Sequence, residues 1–287
     1  MKYILATDSF KGSLSSMEVE AEIAEVLTEK GADVVSLPMS DGGDGMLEAF
    51  TKALGGTIEP VYVHNQMMRR VDAAFGMTAD GTAIVEVAQA CGLELVKEDE
   101  RNPMRATTYG VGELLSRAVK RGCRNFIIGL GGSGTSDAGI GMLRALVDIF
   151  AKGKTFDDAM QTELGECRFT LACDVDNPLC GENGAACVYA PQKGATPQMV
   201  EQLDRRAKLF AEKSALHYGY DRSCCPGAGA AGGLGYAFMQ YLGAEMRSGA
   251  DMLLSLCRFD DVAKDADMII TGEGHADRQT LMGKLTQ

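Results

Sequence analysis

The side chains able to do chemistry gather in a few short stretches. In "TDSFKGSLSS", Asp8, Ser9 and Lys11 come directly after a short apolar run and ahead of a helix start. In open α/β sheets, ligands bind beyond the carboxyl ends of strands, where helix amides attract anions. Lys11 adds a point charge suited to phosphate or carboxylate. The competing reading is that Asp8 and Ser9 only cap the turn. "MSDGGDGM" has the same placement after a second apolar run, and its Asp41 and Asp44 suit either a divalent ion or a substrate hydroxyl. There the plain alternative is a helix capped by Asp44 with ordinary turn glycines.

The richest loop is "GLGGSGTSDAGIGML". Gly129, Gly131 and Gly134 fit G-x-G-x-x-G, and Gly227, Gly229 and Gly232 fit it again in "GAGAAGGLG". A dinucleotide site needs a further parallel strand ending in an acid about 20 residues on. Asp148 has that spacing, but "ALVDIF" leaves no room for the crossover helix. Nor is "GKT" at Gly153 to Thr155 a P-loop, because Asp148 stands where that motif needs glycine. What remains is a cradle of amides with Ser133, Thr135 and Ser136 for phosphate oxygens, and Asp137 for an accompanying Mg²⁺. Close helix–strand packing is the other use of such glycines, favoured for the second run. "CDVDNPLCGENGAACVYAPQKGAT" offers Asp174 and Asp176 at a strand end and, later, Lys193. It lacks the ligand order of an EF-hand and reads alone as an acidic loop.

Other chemistries drop out. There is no G-x-S-x-G elbow and no H-E-x-x-H, and the histidines are His64, His217 and His275. The net charge of −12 argues against a nucleic-acid binder. The odd count of nine cysteines, with no secretory leader, indicates reduced cytoplasmic thiols. Cys173, Cys180 and Cys187 are too widely spaced for a C-x-x-C zinc site. The uncharged run Ser223 to Ala244 holds Pro226, Gln240 and many glycines, and is too poor in large apolar residues to favour a membrane. Acids, a few lysines and glycine loops without a dominant nucleophile suit phosphoryl transfer, where positioning and charge do most of the work.

These groups need a scaffold. Lys2 to Ala6 reads as a buried strand, and Ser15 with Glu18 as a capping box opening a helix that runs to Lys30. A second strand, Val34 to Leu37, leads to a helix from about Met46 to Leu54, closed by Gly55 and Gly56. Strands alternating with helices imply a parallel, doubly wound sheet. From Ile58 to Val87 the runs around "HNQ" and "ADGT" predict hairpins. A helix from Thr108 to Lys120 and a strand from Phe126 to Leu130 follow. The pattern divides the chain into a split parallel-sheet domain, 1–58 plus 262–287, and an inserted α/β domain, 59–261.

Taken together, "DSFKGSLSS", "MSDGGDG", "NPMRATTYGVGEL", "GLGGSGTSDAGIGML", "ACDVDNPLCGENGAACVYAPQKGA", "GAGAAGGLG" and "TGEGHADRQTLMGK" resemble, in order, the type-1 family of bacterial glycerate kinases. The resemblance implies ATP- and Mg²⁺-dependent phosphorylation of D-glycerate, at the 2-hydroxyl, on a flavodoxin- or Rossmann-like domain split by a second α/β domain. Its signature positions fall here on Asp8, Ser9, Lys11, Asp41, Asp44, Asp174, Asp176, Asn177, Glu273 and Asp277. The roles it suggests are Lys11, Asp41 and Asp44 as catalytic groups. Asp8, Ser9, Asp176, Asn177 and Asp277 bind substrate, and Asp174 with Glu273 holds Mg²⁺. Gly131, Gly132, Ser133, Gly134 and Thr135 bind the nucleotide. Arg69, Arg70 and Arg105 are read as solvated surface.

The chain departs from the family pattern in two places. His275, Ala276 and Arg278 replace the Arg, Leu and Ser of the usual "TGEGRLDSQT", removing a bidentate anion donor. Only "LTQ" follows Lys284, where the family continues with further helix and strand units. The expectation is therefore a C-terminally truncated member with an exposed sheet edge prone to association. The rivals are an inactive fragment that still binds glycerate or nucleotide, and, less favoured, a nicotinamide-dependent oxidoreductase.

Overall fold

The computed structural model describes residues 1–10, 13–40, 42–43 and 45–274. Its strands are β1 (Lys2–Thr7), β2 (Asp33–Ser36), β3 (Thr57–His64), β4 (Arg70–Met77), β5 (Thr82–Glu86), β6 (Asn125–Gly129), β7 (Arg168–Ala172), β8 (Glu245–Arg247) and β9 (Met268–Gly272). The helices are α1 (Ser16–Glu29), α2 (Met46–Ala53), α3 (Ala88–Cys91), α4 (Tyr109–Lys120), α5 (Ile140–Phe150), α6 (Phe156–Met160), α7 (Ala185–Tyr189), α8 (Pro197–Tyr218), α9 (Ala230–Leu242), α10 (Gly249–Leu256) and α11 (Phe259–Ala263).

Two sheets carry the fold. The smaller has the order β2-β1-β9 and is parallel throughout, so strands from opposite ends of the described chain lie side by side. The larger has the order β3-β4-β5-β6-β7-β8. Its β3–β4 and β4–β5 pairs are antiparallel, and the rest of the ladder is parallel. The mixed α/β architecture expected from the alternation of strands and helices is the one observed.

Side-chain alternation explains the layering. On β5, Ala83 and Val85 face one core while Ile84 faces another. On β6, Phe126 and Ile128 face the first core and Ile127 packs against the second. A parallel sheet covered on both faces demands such continuous apolar strands. The first core takes in α4, α5 and α9 through Val111, Leu114, Met142, Leu146, Leu234 and Phe238. The second lies between the sheets, where Met46, Leu47 and Phe50 of α2 and Leu253 of α10 join Ile4 and Ala6 of β1 to Ile84 and Ala172.

Local signals set several boundaries. The Ser15 hydroxyl accepts from the Glu18 amide and the Glu18 carboxylate accepts from the Ser15 amide, the capping box read from the sequence. The hairpins fall where "HNQ" and "ADGT" predicted them, with Gly81 in the left-handed region at φ 80°. Of the uncharged run from Ser223, the part Ala230–Leu242 is α9, buried at most of its positions. Among the described residues no helix is long and apolar enough to cross a membrane. All nine cysteines are free. β9 forms an edge of the small sheet, with Met268 and Ile269 about half exposed.

Ile84 joins the two sheets, so Ile84→Ala should cost about 2–5 kcal/mol of unfolding free energy. The same change at Ile58, 45% exposed on β3, should cost under about 1 kcal/mol. Urea unfolding of the two variants measures both.

Candidate functional site

The end of β1 is held from several sides. Glu20 of α1, 1% exposed, accepts from the Thr7 amide at 2.9 Å and the Thr7 hydroxyl at 3.2 Å. The Ser16 hydroxyl donates to the Thr7 carbonyl at 2.5 Å and accepts from the Met39 amide at 3.2 Å. Thr7 pairs with Gly272 across the β1–β9 ladder, so Asp8 and Glu273 follow neighbouring strand ends. The Asp8 amide donates to the Gly272 carbonyl at 2.9 Å, and its carboxylate accepts from the Ser9 amide at 2.7 Å. Asp8 and Ser9 are both buried, and the Ser9 hydroxyl has no hydrogen-bond partner among the described residues. Glu273 is half-buried.

From Met39 the chain runs into the glycines between the two aspartates of "SDGGD". The Gly131 amide donates to the Gly42 carbonyl at 3.0 Å. A Cβ at Gly42 would stand 2.2 Å from the Ala172 carbonyl oxygen, and one at Gly131 would stand 2.3 Å from the Gly43 Cα. The loop after β2, the loop after β6 and the end of β7 therefore touch. That contact brings together the carboxyl edges of the two sheets, where ligands bind in folds of this type. Lys11, Asp41, Asp44 and Asp277, named from the sequence, lie outside the described residues.

The loop after β6 is braced on every side. The Gly134 amide donates to the Cys91 carbonyl at 2.7 Å, and the Leu93 amide to the Gly132 carbonyl at 2.8 Å. Gly232 approaches so closely that a Cβ there would lie 2.0 Å from the Thr135 carbonyl oxygen. The second glycine run thus packs against the first. Of the sequence-named positions in this loop, Gly131 and Gly134 turn their amides into the protein. The Ser136 hydroxyl is buried without a partner among the described residues.

Asp137 sits just beyond. Its carboxylate accepts from the amides of Thr108, Gly139 and Gly141 at 2.9, 3.1 and 3.0 Å, and from the Thr108 hydroxyl at 3.0 Å. Burial pushes its carboxyl up, opposed by those bonds. Its acceptors serve the start of α4 and α5. On the loop after β7, Asp174 is half-buried and Asp176 exposed. Asn177 donates to the Asn183 carbonyl at 2.8 Å and accepts from the Tyr189 hydroxyl at 2.6 Å, which ties that loop to α7. Arg69, Arg70 and Arg105 are exposed, and Arg69 pairs with Glu100 at 2.7 Å.

Two residues carry more than the sequence reading assigned them: Glu86, which it passed over, and Lys193, which it named without a role. Glu86, 5% exposed at the end of β5, accepts from the Leu47 amide at 3.2 Å, near the N-terminus of α2. Its signal was available, since "TAIVE" is an apolar strand ending in an acid, the same pattern that singled out Asp8. Lys193 is 2% exposed and donates to the Ser133 hydroxyl at 3.0 Å and the Thr135 carbonyl at 2.6 Å. No local pattern distinguishes it from a surface lysine on a turn.

Both parts of the geometry are open to measurement. Gly42 and Gly45 have φ of 91° and 85°, but nothing lies within 4 Å of a Cβ at Gly45. Gly45→Ala should cost about 1 kcal/mol from backbone strain alone. Gly42→Ala should cost at least twice that by denaturant unfolding, because the carbonyl it meets is backbone. Burial also lifts the Glu20 carboxyl from 4.5 to about 7, against the lowering by Thr7 and Lys52. A raised carboxyl supports folding below its unfolded value and loses that support as pH rises through the folded one. Wild type should therefore lose up to about 3 kcal/mol relative to Glu20→Gln between pH 4.5 and 7. Parallel denaturation curves across that window give the answer, and equal slopes would contradict it.

Comparison with known proteins places this arrangement. Residues 3–287 match the sequence profile of the glycerate kinase family. A glycerate kinase of Haemophilus influenzae is 41% identical over 303 aligned positions, covering 99% of this chain and 80% of its own. A glycerate 2-kinase of Escherichia coli is 39% identical, covering 99% of this chain and 80% of its own. The crystal structure of a Salmonella typhimurium LT2 protein assigned as glycerate kinase 2 superimposes with a TM-score of 0.83. It is 38% identical, over 99% of this chain and 81% of its own.

Proposed function

The chain belongs to the glycerate kinase family and is a kinase, and from that premise we propose that it transfers the γ-phosphoryl group of ATP, with Mg²⁺, to the 2-hydroxyl of D-glycerate. The observation that carries this reading is the contact of Gly42 and Gly43 with Gly131 and Ala172. It sets the turn bearing two aspartates against a glycine- and serine-rich turn, which is what bringing an acceptor hydroxyl to a phosphoryl group requires.

In the transfer, the hydroxyl oxygen of glycerate forms a bond to the γ-phosphorus while the bond to the β-bridging oxygen breaks. ADP leaves, and the hydroxyl proton passes to a carboxylate. Asp41 or Asp44 takes that proton, and Lys11 offsets charge on the substrate carboxylate or the moving phosphoryl group. Asp8, Ser9, Asp176, Asn177 and Asp277 orient glycerate. The Ser9 hydroxyl, without a partner among the described residues, is a buried donor in want of an acceptor, as a substrate-binding group would be. The Gly131 to Thr135 turn receives the nucleotide phosphates, supported by the Ser136 hydroxyl beside it, which has no partner among the described residues.

The donor chemistry also suits magnesium. Among the described residues no three acidic, histidine or cysteine side chains form a cage. Mg²⁺ needs none, since it keeps several waters and is bound through one or two carboxylates plus substrate phosphates. Asp174 and Glu273 would hold it, and it would neutralise developing charge on the phosphates. The segments 1–58 and 262–287 are proposed as one domain and 59–261 as the other, so that the site lies at their junction.

Purified protein should release ADP from Mg-ATP only when D-glycerate is present, and ³¹P NMR of the product should show a 2-phosphate. Asp41→Asn and Asp44→Asn separate the roles of the two aspartates. The one that is the base should lose about 10²- to 10⁴-fold in kcat. Folded protein that binds nucleotide or glycerate without turnover would overturn the catalytic reading and leave a binding module.

A further inference from the structure

Lys193 is the group that the reading above leaves without a task. It belongs to the short turn Pro191–Lys193, and Gly194 ends that turn in the left-handed region at φ 90°. Its side chain runs inward from there and is 2% exposed. Lysine is almost never fully buried unless a carboxylate neutralises it. Here no acid lies within ion-pair distance of the ammonium among the described residues, and both of its hydrogen bonds go to neutral oxygens, Ser133 Oγ and the Thr135 carbonyl. The third hydrogen of the ammonium has no acceptor there.

The nearby charges do not close the account. Asp137 attracts the ammonium from a distance, but its carboxylate is taken up by Thr108, Gly139 and Gly141. The Cys91 thiol, pushed up to about 12 by burial, stays neutral. Burial lowers the Lys193 ammonium to about 8, with Cys91 and Asp137 pulling the other way, so at neutral pH it keeps most of its charge. A buried cation with a spare donor beneath a turn of glycines and hydroxyls has an electrostatic deficit that an anion on that turn would fill.

We propose that Lys193 is a positioning residue for nucleotide phosphates, fixing the Gly131–Thr135 turn through Ser133 and Thr135 and supplying the positive charge behind it. The proposal rests on the phosphoryl-transfer reading, and it is specific about the ligand. The turn serves the polyphosphate of the nucleotide, and glycerate is bound elsewhere, around Asp8 and Ser9. It also accounts for the braced loop. Gly134, Gly132 and Gly131 are tied to Cys91, Leu93 and Gly42, and Lys193 holds the turn through Ser133 and Thr135.

The test compares wild type, Lys193→Met and Lys193→Arg in three measurements. These are the unfolding midpoint without ligand, the Kd for ADP by calorimetry, and the separate KM values for ATP and D-glycerate. Lys193→Met keeps the length of the side chain and removes its charge. It should unfold at or above the wild-type midpoint, bind ADP at least tenfold more weakly, and raise the KM for ATP by a similar factor. Its KM for glycerate should move less than twofold, and Lys193→Arg should recover part of the ADP affinity. Equal ADP affinity in the Met variant, or a defect confined to glycerate, would overturn the proposal. Should Lys193→Met not fold, Ser133→Ala removes one of the two anchors and should weaken ADP binding about threefold, and an unchanged Kd there overturns it equally. Wild-type protein that binds no ADP and shows no turnover would sink the kinase reading beneath it, an outcome distinct from a wild type that works and a variant that works as well.

Discussion

A backbone contact no wider than a glycine governs this molecule. The turn after β2 reaches across to the large sheet, where the Gly42 carbonyl takes the Gly131 amide and the Gly42 α-carbon lies against the Ala172 carbonyl. Any side chain at Gly42 or Gly131 would occupy space that main-chain atoms already fill. The glycines of "SDGGDG" and "GLGGSG" are thus two halves of one clasp. The remaining architecture keeps that clasp shut, because the apolar layer of α2 and α10 joins the small sheet to the large one behind it.

The polar groups around the clasp divide into those that hold it and those left over for a ligand. Ser16, Asp137 and Glu86, with one carboxylate oxygen of Glu20, accept from backbone amides, fixing strand ends and helix starts. The buried hydroxyls of Ser9 and Ser136 have no partner among the described residues. Buried groups without partners are uncommon in a folded protein and collect where function needs them.

The sequence disclosed the parts of this arrangement that are written locally. The capping box of Ser15 and Glu18, the hairpin turns and the strands that end at Asp8 and Gly129 follow from spacing within a few residues. The long helix α8 escaped notice because its buried stripe is Leu203, Ala207, Ala211 and Ser214, small residues that raise little hydrophobic periodicity. Lys193 was named from the sequence, but its place in the fold was not legible there, for a different reason. Its burial comes from Ser133 and Thr135, some 60 residues earlier in the chain, and no pattern within its own turn foretells it. The glycines of the second G-x-G-x-x-G run pointed correctly to close packing, with Gly232 against Thr135, while the neighbours they pack on became visible only in three dimensions.

The pairing of β1 with β9 bears on how the chain comes to be folded during synthesis. One of the two neighbours of β1, β9, leaves the ribosome long after it, with Lys2 bonded to Asp267, 265 residues further on. The large sheet, whose strands run from Thr57 to Arg247, is complete in sequence before Met268 has been made. The β1-α1-β2 unit must therefore wait, with the apolar faces of Ile4 and Ala6 lacking their full cover, while the residues up to β9 are translated. Contacts between such distant segments are slow to form and leave surfaces exposed to aggregation in the interval. Between the synthesis of β1 and that of β9, the β1-α1-β2 unit is the part of the nascent chain most in need of chaperone protection.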